Sequence, residues 1–241
     1  MSTVSAKVDE QVNIKILQLL SGAKEATGIT VIIDVFRAFS VESYLFSKGA
    51  EKIIPVADLD LAYKLKKDFP DAILVGERDG KKCEGFDFGN SPSELKDANL
   101  KGRTVIHTTS AGTQGLFGAK NADIILGAGL VNARTTAEYI KRSGYNDVCL
   151  VCMGLAAIEP TEEDTLCAEY IESILEEKPM NLEEKIENLK YTSGAKFFDK
   201  AQNDVFPEED FYLCTMVDRF DFAIELTKEN GLSYMKKKIL L

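Results

Sequence analysis

The fold class of this chain is indicated by residues 29–47, ITVIIDVFRAFSVESYLFS. The first part, 29–33, is a run of β-branched residues that is apolar except for Thr30, which is typical of a strand buried on both faces. Asp34 and Arg37 follow at the carboxyl end of this strand, and a helix can begin at Ala38. In open α/β sheets, ligands bind where a parallel strand gives way to a helix. The stretch therefore predicts an α/β sheet with a polar site at a strand end.

Asp34 and Arg37 allow two interpretations. An aspartate in this place can hold a hard cation or attack phosphorus, and an arginine can clamp an oxyanion with its planar guanidinium group. The alternative is an ordinary ion pair between the two side chains that caps the strand–helix turn. The stretch by itself leaves both interpretations open.

Strand and helix patterns alternate along the chain through residue 177. Further strands are predicted near 12–16, 52–56, 72–75, 104–107, 123–128 and 147–153, and the principal helices near 17–26, 38–48, 58–69, 132–142 and 161–177. This alternation predicts a three-layer α/β/α architecture with a largely parallel or mixed sheet.

The remainder of the chain is more helical and more charged. Helices are predicted near 182–190, 194–202 and 208–214, and strands near 220–226 and 233–240. No linker or change in composition marks a domain boundary. Residues 1–241 are therefore expected to form a single domain, with two closely packed subdomains as the alternative.

Charge and composition restrict the partners. The net charge of −10 argues against binding to nucleic acid or to an anionic membrane surface. The first eleven residues contain no apolar signal-peptide core, and the apolar runs are too short for a transmembrane helix. Five cysteines, an odd number, indicate reduced thiols and a cytoplasmic location. The sequence leaves open whether the chain forms a homo-oligomer.

Two short motifs resemble functional sites but have simpler explanations. Cys149 and Cys152 have CxxC spacing, yet they lie inside a predicted strand, where residues three apart point to opposite faces, so core packing is preferred over zinc binding. Asp58 and Asp60 have the spacing of a phosphatase DxD motif, but Asp58 also suits the N-cap of the helix that follows. His107 is the only histidine, and it is either a general acid or base or an ordinary strand residue.

Polar residues follow four of the predicted strands. These strand ends are Asp34 with Arg37, the triplet 77–79, the turn 108–113 and the acidic run 162–164. In a parallel sheet such ends share one edge, where arginines can hold an oxyanion and carboxylates can hold a divalent metal. Mg²⁺ is usually bound by one or two carboxylates together with phosphate oxygens. Because phosphoryl transfer depends mostly on positioning and charge neutralisation, this edge suits that chemistry.

Several longer blocks of sequence carry a family resemblance. They are VIIDVFRAFSV (31–41), LVGERDGKKCEGFDFGNSPSEL (74–95), GRTVIHTTSAGTQGL (102–116), LVNARTTAEYI (130–140), VCMGLAAIEPTEEDTLCAEYI (151–171) and, more weakly, DVFPEEDFYLCTMVD (204–218). In this order they resemble the 2-phosphosulfolactate phosphatase family, the ComB-like proteins associated with coenzyme M biosynthesis. The resemblance implies a Mg²⁺-dependent phosphatase that converts 2-phosphosulfolactate to sulfolactate and phosphate.

The resemblance also implies roles for individual residues. The implied catalytic residues, in the DVxRA and GER elements, are Asp34, Arg37, Glu77 and Arg78. Substrate-binding positions, in the GNSP loop, the TTxxGT turn and a helix start, are Asn90, Ser91, Thr108, Thr109, Gly112, Thr113 and Asn132. The implied metal ligands are Asp34, Glu163 and Asp164.

Three alternatives stay open at this point. Attack on phosphorus is by a metal-activated water or by an aspartate that forms an acyl phosphate. Because Ser110 and Ala111 stand where the family usually has Thr-Asn, another small phosphorylated 2-hydroxy acid is an alternative substrate. A non-catalytic protein that binds such anions is the alternative from another class.

Overall fold

A computed structural model describes residues 12–240 of the chain. Within them, ten strands form one sheet in the order β1-β8-β2-β7-β9-β10-β3-β6-β4-β5. In chain order the strands are β1 Asn13–Gln18, β2 Gly28–Ile33, β3 Lys52–Val56, β4 Ile73–Arg78, β5 Lys81–Lys82, β6 Thr104–Thr108, β7 Ala122–Ala128, β8 Asp147–Cys152, β9 Phe222–Glu229 and β10 Leu232–Ile239. The mixed sheet confirms the predicted fold class.

The sheet contains two groups of parallel strands. One group is β1, β8, β2 and β7, and the other is β3, β6 and β4. The hairpin β9–β10 joins them through antiparallel pairings on both sides and within itself, so the two groups run in opposite directions along the sheet. The polar strand ends therefore do not share one parallel edge, which corrects the sequence prediction. Residues near the ends of β2, β4, β6 and β8 nevertheless meet at one cavity. The groups meet instead across a common apolar core that includes Ile32 of β2 and Ile53 of β3.

Eight α-helices cover the sheet within residues 12–240. They are α1 Leu19–Glu25, α2 Ala38–Ser47, α3 Leu59–Asp68, α4 Gly112–Gly118, α5 Ala133–Ser143, α6 Glu162–Leu175, α7 Glu183–Leu189 and α8 Glu208–Cys214. Residues of α2 and α4 lie in the common core, whereas α5 and α6 pack on the opposite face of β2. Helix α3 covers the outer face of β3, β4 and β6. The chain thus forms three layers, as predicted.

Strand β2 is buried on both faces, as its apolar run predicts. Ile32 lies in the common core, whereas Val31 and Ile33 lie in the cluster under α5 and α6. Cys149 and Cys152 of β8 likewise lie on opposite faces and are buried, which confirms their packing role. Asp58 caps α3, because its Oδ1 accepts hydrogen bonds from the backbone N–H groups of Asp60 and Leu61.

The segment 194–202 differs from its prediction as one helix. It forms two short 3₁₀ turns, Ala195–Phe198 and Lys200–Gln202. Asp199 separates them with an extended backbone, and its carboxylate accepts the N–H of Ala201, so the second turn begins anew. The predicted absence of a signal peptide concerns residues 1–11, which lie outside the described part. No helix among the described residues is long and apolar enough to cross a membrane.

Candidate active site

A cavity of about 320 Å³ lies where β2, β4, β6 and β8 end. Residues predicted from the sequence that line it are Asp34, Arg37, Glu77, Asn90, Thr109 and Glu163. Side chains without an assigned role that also line it include Phe36, Asp79, Ser110, Lys196 and Phe206. The structure thus brings residues from distant parts of the sequence into one small polar space.

Asp34 is held at the end of β2 by the start of two helices. Its Oδ1 accepts a hydrogen bond from the backbone N–H of Ala38 at 3.1 Å, at the first residue of α2. Gly112, at the start of α4, comes so close that a Cβ atom there would lie 3.0 Å from Asp34 Oδ2. Glycine at position 112 therefore allows α4 to lie directly against this carboxylate.

Buried carboxylates dominate the electrostatics of the site. Burial raises the pKa of Asp34 to about 6, the nearby charges of Glu77 and Glu163 add to the rise, and the Ala38 hydrogen bond opposes it. Burial also raises the pKa of Glu163, which the charge of Lys196 partly offsets. Carboxyl groups with pKa values raised by burial and like charge are typical of functional sites.

Asp164 ties two loops together behind the cavity. Its Oδ1 accepts the N–H of Val35, and its Oδ2 accepts the N–H of Gly154, each at 2.8 Å. Burial, together with the charges of Glu163 and Asp34, raises the pKa of Asp164 well above its ordinary value. Asp164 is not among the residues that line the cavity. Its observed contacts are those of a residue that holds the loops after β2 and β8 in place.

Arg37 pairs with an aspartate from the far end of the chain. Its Nη1 lies 2.8 Å from Oδ2 of Asp210 in α8 and also donates to the carbonyl of Val205, while Nη2 donates to the carbonyl of Gly80. Both paired side chains are almost fully buried. The ion pair considered from the sequence is thus present, but Asp210 rather than Asp34 is the partner.

Asp210 also anchors the loop that follows β5. The hydroxyl of Ser91 donates to Asp210 Oδ1 at 2.9 Å, and the backbone N–H of Ser93 donates to the same atom at 3.0 Å. Ser91 therefore contacts the arginine's partner and is not part of the cavity lining. Through Asp210, the loop, α8 and Arg37 form one connected polar network.

Glu77 and Arg78 lie next to each other in β4, but their side chains contact different parts of the protein. Glu77 lines the cavity and accepts the backbone N–H of Ser110 and of Gly80, both at 2.7 Å. Arg78 instead donates to the carbonyl of Ala57 and to the hydroxyl of Thr108, outside the cavity lining. The alternation of side chains along a strand accounts for this separation.

The turn after β6 is held by its own threonines. The Thr113 hydroxyl donates to the Thr109 carbonyl at 2.9 Å, and the Thr109 hydroxyl accepts the N–H of Thr113 at 3.2 Å. Of the predicted residues in this turn, only Thr109 lines the cavity. Asn132 lies elsewhere, fully buried, where its side chain bonds to the backbone of Gly129 and Gly127 and caps a 3₁₀ turn.

Asn90 is oriented by a buried chain of polar side chains. Its Oδ1 lies 3.3 Å from Nε2 of His107, whose Nδ1 lies 2.9 Å from Oε1 of Glu42. His107 and Glu42 are both fully buried, and the second oxygen of Glu42 has no hydrogen-bond partner. His107 thus lies behind the cavity, where it positions the side chain of Asn90 and does not line the space itself.

The acidic side chains that line the cavity are one feature that suits a divalent metal. Glu163 Oε2 is buried and has no hydrogen-bond partner, and the lining holds four acidic side chains but only two basic ones. Among residues 12–240, no group of three or more His, Cys, Asp or Glu side chains is arranged to hold a metal. Asp34 and Glu163 are nevertheless carboxylates of the kind that could hold a Mg²⁺ ion together with phosphate oxygens.

Asp210 and Lys196 are the principal residues that sequence reasoning missed. Asp210 lies within the weakly matching block 204–218, where it is one of several acidic residues. Lys196 follows Gly194 and Ala195 in a segment without any recognisable motif. Only the weak block offered a signal for Asp210, and nothing in the sequence marked Lys196.

Comparison with known proteins gives one consistent result. Residues 15–229 match the family model of 2-phosphosulpholactate phosphatase. A probable 2-phosphosulfolactate phosphatase of Bacillus subtilis (strain 168) is 34% identical over 214 residues, which cover 88% of this chain and 92% of that protein. A protein of the same description from Clostridium acetobutylicum is 36% identical over 176 residues, covering 73% and 72% of the two chains.

Proposed function

The chain belongs to the 2-phosphosulpholactate phosphatase family, whose members are phosphoric monoester hydrolases, and we propose that it hydrolyses 2-phosphosulfolactate to sulfolactate and phosphate with Mg²⁺ as cofactor. One water molecule is consumed in each turnover, because the bond between phosphorus and the ester oxygen is broken and the leaving oxygen takes a proton. The alternative substrate is another small phosphorylated 2-hydroxy acid.

The observation that carries this proposal is the pairing of two buried carboxylates in a small cavity. Asp34 and Glu163 both line a space of about 320 Å³, which is near the lower end of the range for small-molecule pockets. Two carboxylates alone would repel a phosphate, so this lining is unfavourable for a protein that only binds anions. A bound cation removes that repulsion, which favours an enzyme over a non-catalytic binding protein.

Asp34 and Glu163 are the residues that would hold Mg²⁺. When bound, the metal supplies positive charge that offsets the phosphate and the carboxylates. Asn90 and Ser110 line the same cavity and offer polar side-chain groups for substrate oxygens. Arg37 lies in the cavity wall with its charge balanced by Asp210, and its contacts with Asp210 and Gly80 keep the surrounding segments in place.

The cellular setting is part of the proposal. All five cysteines are free and buried, which suits a reducing compartment and supports a cytoplasmic location. A role in coenzyme M biosynthesis rests on the family resemblance alone.

A panel of phosphate esters tests the proposed activity. Phosphate release is measured for 2-phosphosulfolactate, 2-phospholactate and phosphoglycolate, each with MgCl₂ and with EDTA. We expect release that requires Mg²⁺ and the highest kcat/KM for the sulfonate. A higher kcat/KM for 2-phospholactate would assign the alternative substrate, and binding of the three compounds without any release would assign a binding protein.

A further inference from the structure

Lys196 is the cation in the cavity that is free to meet a ligand. The 3₁₀ turn Ala195–Phe198 brings its half-buried side chain to the cavity wall. Within residues 12–240 its ammonium group forms no ion pair with a carboxylate. The group lies against aromatic rings, whose centroids are 5.3 Å away for Phe206, 5.6 Å for Phe197 and 5.9 Å for Phe36. Its charge also acts on Glu163 in the same cavity.

Arg37 is in the opposite situation. Its guanidinium group pairs with Asp210 and donates to two backbone carbonyls, so its charge is balanced and most of its donors are used. The centroid of the same Phe206 ring lies 4.9 Å from the guanidinium carbon of Arg37, so both cations lie near one ring. Of these two cations, Lys196 therefore retains the N–H donors that an anionic ligand needs.

The aromatic rings around Lys196 favour the binding of an anion by its ammonium group. Ring faces attract an ammonium group and limit the conformations of its long side chain, but they accept hydrogen bonds only weakly. An anion that enters the cavity gains charge-assisted hydrogen bonds without having to break an existing ion pair. This arrangement lowers the cost of binding compared with a lysine already paired with a carboxylate.

The substrate proposed above carries more than one kind of anion. Its phosphate is assigned to the end of the cavity where Asp34 and Glu163 lie, and a second acidic group needs a separate cation. We propose that Lys196 binds this second anionic group, a sulfonate or a carboxylate, and so selects phosphate esters that carry one. This inference rests on the proposed function and adds the residue that determines specificity within the same cavity.

Paired substrates separate this role from a structural one. The variants are Lys196→Met, Lys196→Arg and, as a matched control, Lys200→Met on the exposed turn that follows. Each is assayed with 2-phosphosulfolactate and with isopropyl phosphate. Isopropyl phosphate is a phosphate monoester of a secondary alcohol and carries neither a sulfonate nor a carboxylate. For Lys196→Met we expect kcat/KM for 2-phosphosulfolactate to fall roughly 10- to 100-fold because KM rises. This is the size expected when a hydrogen bond between charged groups is lost.

The second substrate and the other two variants complete the test. On isopropyl phosphate, Lys196→Met should stay within about threefold of wild type, Lys196→Arg should recover most of the loss on the sulfonate, and Lys200→Met should match wild type on both. Equal losses on both substrates, or no loss on either, would overturn the inference.

Calorimetric binding of sulfolactate provides a readout that does not depend on turnover. We expect Lys196→Met to weaken binding roughly 10- to 100-fold and Lys200→Met to leave it unchanged. If the wild type binds sulfolactate in this way but hydrolyses neither ester, the proposed phosphatase activity fails while the role of Lys196 stands. Equal affinity of the wild type and Lys196→Met, or no binding by either, would overturn the inference.

Discussion

The guanidinium group of Arg37 and the carboxylate of Asp210 lie 2.8 Å apart, and both side chains are almost fully buried. This pair joins the end of β2 to helix α8, although 173 residues separate its members along the chain. A buried arginine without its partner carries an uncompensated charge. The pair therefore ties α8 to the arginine that lies in the cavity wall.

Loss of the Asp210 charge should unfold the protein more easily. For Asp210→Asn we expect the free energy of unfolding to fall by about 3–5 kcal/mol, the usual cost of breaking a buried ion pair. The control is Glu209→Gln in the same helix, since Glu209 is exposed and lies 4.0 Å from Lys96; its cost should be below about 1 kcal/mol. Urea unfolding gives both values, and equal stability of the two variants would contradict the buried-pair account.

The protonation of Asp34 should make stability depend on pH. Its pKa is raised from 3.8 to about 6 in the folded protein, so the native state binds this proton more tightly than the unfolded chain. The stability that the proton provides is complete below about pH 4 and is lost as the pH rises through about 6. At neutral pH the loss is up to about 3 kcal/mol.

The variant Asp34→Asn removes this ionisation. In EDTA, its free energy of unfolding should fall less between pH 4 and pH 7 than that of the wild type, although Glu163 and Asp164 still contribute to the decline. Urea unfolding at several pH values measures the difference. Identical pH dependence in both proteins would mean that Asp34 is not a carboxyl group with a raised pKa.

Arg78 should matter for stability and little for turnover. It donates hydrogen bonds to the Ala57 carbonyl and the Thr108 hydroxyl and does not line the cavity. For Arg78→Met we expect a loss of about 1–3 kcal/mol in unfolding free energy. The kcat/KM should remain within about threefold of wild type. A fall of about a hundredfold with unchanged stability would restore the catalytic role implied by its GER motif.

Gly112 should be intolerant of a side chain because of Asp34. A Cβ at this position would lie 2.8 Å from the Cβ of Ala38 and 3.0 Å from Asp34 Oδ2. We expect Gly112→Ala to displace the carboxylate and to lower kcat/KM at least about tenfold. The control is Gly118→Ala at the other end of α4, which meets the end of the Leu20 side chain and should affect stability alone. Equal kcat/KM values for the two variants would contradict this explanation.

Sequence patterns located part of the site for clear physical reasons. Asp34 follows a strand buried on both faces, and Thr109 lies in the turn between a strand and a helix. The place of each residue at a strand end could therefore be inferred from the local sequence. Glu77 and Arg78 share one motif, but strand alternation directs only Glu77 to the cavity. Asn132 belongs to a matching block too, yet its buried amide bonds to the backbone of Gly129 and Gly127 and not to the cavity.

The remaining features depend on tertiary packing. Lys196 reaches the cavity, and Asp210 reaches Arg37, only because α8 and the preceding 3₁₀ turns pack against Phe36 and against one another. The reversal of strand direction at β9–β10 was likewise not readable, because local patterns give the type of an element but not its partner in the sheet. Long-range contacts of this kind are outside the range of periodicity and motif spacing.

The central claim is that this cavity is a metal-dependent phosphatase site, and one comparison tests it most directly. Phosphate release from 2-phosphosulfolactate is measured with MgCl₂ and with EDTA for the wild type, Glu163→Gln and Glu162→Gln, in which the neighbouring exposed glutamate is changed. We expect the wild type and Glu162→Gln to be active only with Mg²⁺, and Glu163→Gln to be at least about a hundredfold slower. Full activity of the wild type in EDTA, or of Glu163→Gln with Mg²⁺, would contradict the account.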